Sequence, residues 1–190
     1  MFDQWRTLFK HLNRYLRAYG GLSAMVRSPF FGLALLFTLL NYSQWITPEW
    51  PKRAEALIPN LLGFSLGTYA ILFSIMSSRL KNALRSVCVS ADSNISWLES
   101  INATFFHFIF IQVMTLIWSF LYQGSWLFDL ARALGNANKF DNITYKALSL
   151  AGSFTGMFLL TYSILLMVAS ALAIYRLAMI RERPDPSNKK

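Results

Sequence analysis

The sequence predicts an all-α membrane protein with four transmembrane helices. The first observation behind this is that four stretches, Phe30–Ile46, Leu57–Ser77, Ala103–Gln123 and Leu148–Tyr175, contain no Asp, Glu, Lys or Arg. Each is near or above the length an α-helix needs to cross a hydrocarbon core of ~30 Å at about 1.5 Å per residue. The second is composition. Of 190 residues, 55% are hydrophobic and 14% charged, whereas a soluble domain carries about 25% charged residues. The connections are too short to bury a second core, so residues 28–178 are expected to form one membrane domain.

The N-terminal arm is the first element. Phe2, Trp5, Phe9, Leu12, Leu16 and Tyr19 recur at helical spacing, and Arg6, Lys10, Arg14 and Arg17 do so on another face. Residues 1–20 therefore predict a basic amphipathic helix suited to an anionic membrane surface, or one packed on the protein's own loops. Gly20-Gly21 ends it, and Ser28-Pro29 opens the first span. That span, 30–46, lacks a small-x-small cleavage pattern and is expected to be a retained helix. The Pro-punctuated stretch Thr47–Arg53 reads as a short connection, with Trp45 and Trp50 in an aromatic belt.

Spans two (57–77) and four (148–175) echo each other at an offset of 89. Asn60, Gly63, Gly67 and Ser74 align with Ser149, Gly152, Gly156 and Ser163, and Ser170 extends the second row. Each row is a strip of small residues along one helix side, where another helix can approach closely. Duplication of a hairpin and chance are both open as its origin, and the contact is open between and within subunits.

Residues 78–102, between spans two and three, predict a helical hairpin with a turn at Ala91–Asn94. Span three (103–123) carries a polar face of Thr104, His107, Gln112, Thr115, Ser119 and Tyr122, suited to interhelical hydrogen bonds. A short amphipathic segment follows Ser125, with Gly135 as a helix stop and 136–142 as a polar loop. The tail, 183–190, reads as disordered.

The 18 basic residues give a net charge of +9 and are unevenly spread. Arg6, Lys10, Arg14, Arg17 and Arg27, then Arg79, Lys81 and Arg85, then Arg176, Arg181, Arg183, Lys189 and Lys190 fall on one side of a four-span chain. The positive-inside bias makes that side cytoplasmic, with both termini there and the spans in the inner membrane. The charge is thus a topology signal, and no nucleic-acid partner is expected. Cys88 is the single cysteine and reads as an inert, partly buried residue.

No catalytic motif, metal-ligand cluster or cofactor fingerprint is present. Every acidic residue is expected in a connection or tail, which argues against proton- or ion-coupled transport. The expectation is a non-enzymatic, self-associating subunit that binds anionic lipid and docks a cytoplasmic protein through Arg79, Lys81, Arg85 and Trp97. A small pore lined by neutral groups is the alternative.

A four-span chain of this size with a basic cytoplasmic side resembles, over residues 30–175, the small membrane subunits of bacterial anti-phage systems of the Kiwa type. Pore-colicin immunity proteins share the same outline, which leaves an immunity-type function as a further alternative. The Kiwa-type resemblance implies a membrane-embedded oligomer that senses phage attack and works with a cytoplasmic effector.

Overall fold

The computed structural model describes residues 2–90, 94–124 and 142–179. These residues form helices joined by short turns, and no strand occurs among them. The segment after Ser125, the Gly135 stop, the 136–141 loop, most of the turn at Ala91–Asn94 and the 183–190 tail lie outside the described residues.

Helix α1 spans Phe2–Tyr19, with Asp3 in its first turn and Arg17 in its last, both matched to the helix dipole. It stops at Gly20 and Gly21, whose φ values of 106° and 80° lie in the left-handed region that favours glycine. A β-carbon on Gly20 would also sit only 2.9 Å from that of Ala24. Helix α2 (Gly21–Val26) follows.

The predicted first span is broken. Helix α3 covers Pro29–Leu40, and a separate α4 covers Tyr42–Ile46. Pro29 starts α3 where a missing N–H is harmless. At Asn41 the backbone leaves the helical region (φ −95°, ψ 41°). The carbonyls near the break are met locally: Asn41 Nδ2 donates to Phe37 O at 2.8 Å, and Trp45 Nε1 to Thr38 O at 3.0 Å. Such pairing is what lets a helix break within an apolar setting. The twelve residues of α3 reach only about 18 Å.

Among the described residues, three helices are long and apolar enough to cross a membrane. Helix α5 runs Trp50–Ile75, α7 Trp97–Gln123 and α8 Asn142–Ala178. All three begin earlier than the charge-free windows, so Lys52, Arg53, Glu55 and Glu99 are helical residues. The expectation that every acidic group lies in a connection is corrected accordingly. A window that stops at the first charge cannot see the helix continuing beyond it. Pro51 sits in the first turn of α5, where it is compatible with helix rather than a connection.

Helix α6 (Ser78–Ser86) is capped by Ser77 Oγ, which accepts from Leu80 N at 3.1 Å. In the expected hairpin 78–102, α6 packs on the start of α7, and two extended hydrogen bonds close the connection between them. Val89 N donates to Ile95 O at 2.9 Å and Trp97 N to Val87 O at 3.0 Å. Ser96 Oγ then accepts from Glu99 N at 3.2 Å, a Ser-x-x-Glu start for α7. Cys88, beside this closure, is exposed rather than partly buried.

Helices α5, α7 and α8 pack on one another; α3 and α4 lean on α8, and α1 and α6 on α7. One core cluster gathers Leu72, Met76, Leu98, Phe105, Phe108 and Leu166 towards the α6 end. A second, Trp50, Ala54, Ile58 and Leu160, fills the α4 end. Trp50 is fully buried, which corrects its expected place in an aromatic belt. Outward positions such as Leu40, Phe64, Leu66, Ile71 and Phe120 are exposed and apolar, as a hydrocarbon surround permits.

Candidate functional site

A seam of polar side chains runs the length of α7. At the α4 end, Ser119 Oγ donates to Pro51 O at 3.2 Å and lies 3.4 Å from Glu55 Oε1. Gln123 Nε2 also donates to Glu55 Oε1. At the same level, Trp118 Nε1 donates to Gly152 O at 2.9 Å, and the Tyr122 hydroxyl lies 3.3 Å from Ser149 Oγ. In the middle, Thr115 Oγ1 and Ser163 Oγ are 2.8 Å apart, and Gln112 Nε2 donates to Ser65 Oγ at 3.0 Å. Gln112 Oε1 is buried without a hydrogen-bond partner.

Thr115, Gln112, Ser119, Ser163 and His107 are all fully buried. Spacings of three to five residues keep these groups on one side of α7, facing α5 and α8. In hydrocarbon such bonds are worth around 0.6–1.7 kcal/mol each, so their role is chiefly to set register. Thr104 differs: its hydroxyl turns back to Ser100 O at 2.9 Å and crosses to no other helix.

Towards the α6 end the seam is completed by α1. His107 Nδ1 lies 2.6 Å from the Tyr15 hydroxyl, and His107 Nε2 lies 3.0 Å from the Tyr162 hydroxyl. With one ring proton, the imidazole donates to one hydroxyl and accepts from the other. Tyr19 packs its ring 4.2 Å from that of His107. Burial raises the Tyr15 and Tyr19 phenols above their ordinary range, so both remain protonated hydrogen-bonding groups. Tyr15, Ala18 and Ala103 form a cluster of their own with Leu12, Leu16 and Tyr19 around it.

Arg14 Nε is 2.7 Å from Glu99 Oε1, and this carboxylate raises the Arg14 guanidinium further. Expected as a membrane-surface group, Arg14 is instead engaged with α7. Its side chain is 70% exposed, so the pair orients α1 more than it stabilises it. Arg6, Lys10 and Arg17 are exposed, as are Trp5, Leu8 and Phe9. Helix α1 is thus docked over its second half and unpartnered over its first. Tyr15, absent from the predicted apolar stripe, carries the docking, on the side of α1 that it shares with Leu12 and Tyr19 at spacings of three and four.

The small-residue rows part company. Gly156 is covered by the Trp50 indole and Gly152 by the Tyr122 ring, 3.4 Å from where a β-carbon would lie. Ser163 and Ser170 are buried. Around Gly63 and Gly67 nothing lies within 4 Å of such a β-carbon, and Ser74 is exposed with its hydroxyl on Ala70 O at 2.8 Å. Arg79, Arg85 and Trp97 are exposed and Lys81 half-buried, all at the α6 end.

No group of three or more His, Cys, Asp or Glu is placed to hold a metal among the described residues. No protein-family model, no curated protein and no solved structure matches the chain.

Proposed function

We propose that this chain is a non-enzymatic subunit of the inner membrane that presents a basic face to an acidic cytoplasmic protein. The observation that carries the reading is the state of α1. Its Tyr15–Tyr19 half is fastened to α7 and α8 through His107, while Trp5, Leu8 and Phe9 remain exposed beside Arg6 and Lys10. That exposed half has the chemistry of an anionic leaflet contact. Arg79, Lys81 and Arg85 of α6 lie at the end of the bundle where Arg14 meets Glu99, and they supply the partner-facing charge.

On this reading the α6 end is cytoplasmic and both termini lie there. Such an arrangement needs an even number of crossings, so residues 29–46 complete a fourth, broken one. Two contacts support this. Phe31 meets Phe158 and Tyr162 edge-on in mid-α8, whereas Trp45 meets Phe154 edge-on and, with Ile46, lines a pocket shared with Lys146 and Ser149 near its start. The open α5 face at Gly63 and Gly67 supports self-association. The polar face of α7 bonds to facing helices instead of lining a channel, which disfavours the pore. The likeness to Kiwa-type subunits favours a cytoplasmic effector of phage defence as the partner.

Cys88 makes the test direct, because it is the single cysteine and is exposed at the α6 end. A membrane-impermeant maleimide should label it in inverted vesicles and not in right-side-out cells. Labelling from outside overturns the topology. Tagged protein should co-purify a soluble partner from infected cells, and Lys81→Glu with Arg85→Glu should abolish this. Recovery of the same partner by that variant removes the docking role.

A further inference from the structure

Helix α6 does not close fully onto the bundle. Between it, the start of α7 and the end of α8 lies a groove of about 550 Å³. Leu80, Ala83, Leu84 and Val87 form one wall; Ile101 and Phe105 form the opposite wall. Trp97 stands at the mouth, 46% exposed. Arg176 is the single charged group in the lining, and among the described residues it has no ion-pair partner. It is also the first charge after the uncharged run Leu148–Tyr175. The groove therefore opens where apolar helix gives way to polar chain, the level at which a lipid's glycerol and phosphate sit.

We propose that this groove is a specific site for one anionic diacyl phospholipid. An acyl chain fills the slot between α6 and α7, and the phosphate pairs with Arg176. Volume and lining match the first part. A slot with almost wholly apolar walls at the edge of a hydrocarbon phase is unfavourable for water and suited to a chain. Charge complementarity at the rim matches the second, and it selects an anionic headgroup over a zwitterionic one. The remaining polar lining, Ser100 and Thr104, adds no charge, and Thr104 already donates to Ser100 O. Bound lipid would hold α6, and the basic residues it carries, at a fixed angle to the bundle. The inference rests on the reading that the α6 end faces an anionic leaflet.

The test uses the full chain in detergent, loaded with phosphatidylglycerol or phosphatidylcholine of identical acyl chains and read by native mass spectrometry. One phosphatidylglycerol should be retained about fivefold more strongly than phosphatidylcholine, the effect of one basic residue near a surface. Arg176→Gln should erase that preference, and Ala83→Phe, which fills the slot, should lower retention of both lipids. Lys52→Gln, exposed at the opposite end of the bundle, should leave retention unchanged, separating this site from a general effect of positive charge. A photoreactive acyl chain should label residues 80–105. Equal retention of both lipids, or labelling elsewhere, overturns the site. So does an acidic peptide displacing nothing but itself binding in an Ala83-dependent way, which would make the groove a protein-docking slot. Cys88 labelling from the wrong side would instead fail the topology while leaving the lipid measurement readable.

Discussion

Two rows of small residues, eighty-nine positions apart, carry the same spacing and do opposite things. In α8, Gly152 and Gly156 lie under aromatic rings from α7 and α5, and Ser163 and Ser170 are buried. In α5, Gly63 and Gly67 face open space and Ser74 is exposed. A small residue allows close approach but does not say what approaches. The choice is made by the partner: Trp50 sits at the start of α5, its indole spans Gly156, and Nε1 anchors it by donating to Ser153 Oγ at 3.0 Å. No equivalent ring is supplied opposite Gly67.

Breaking the α8 contact should have the largest effect. Trp50→Ala removes a fully buried indole and should cost about 3–5 kcal/mol, read as a lower thermal midpoint in detergent. Gly156→Leu should follow closely, because overpacking costs about 1–3 kcal/mol and here the indole itself must leave. The double variant should lose less than the sum of the two, since the leucine enters the space the ring vacates. Strict additivity would mean that the two residues do not touch.

Thr115→Val tests the seam that holds α7 against α8. It should cost around 0.6–1.7 kcal/mol and leave oligomeric size unchanged. Gly67→Leu should have the smallest effect on the fold, within roughly 0.5 kcal/mol. The same substitution should shift the particle to a smaller size if α5 is the face that meets a second copy. An equal loss of stability from Gly67→Leu and Gly156→Leu would abolish the distinction between the rows.

Much of this arrangement was legible in the residues. The apolar windows marked three long helices, because hydrocarbon length and charge exclusion are one-dimensional constraints. Gln112, Thr115 and Ser119 stood out on one helical side for the same reason. Three features were not legible. Asn41 breaks α3 from α4 within an uncharged run, and absence of charge does not register a lost backbone bond. Glu55 extends α5 and bonds Gln123 and Ser119 of α7, a pairing that only the facing helix reveals. Trp50 resembles an interfacial tryptophan until Gly156 and Ser153, about a hundred residues later, form its pocket.

The dependence of α3 and α4 on α8 sets a schedule for synthesis. Segment 29–46 is synthesised well before the helix that is its chief packing surface, which begins at Asn142. At about 5–20 residues per second, roughly 7–28 s separate the synthesis of Leu40 from that of Ala178, the end of its neighbour. Throughout that interval α3 and α4 lack their chief packing surface. Helices α3 and α4 gain their chief neighbour only once α8 is made, so truncation within α8 should release them together with α8 itself.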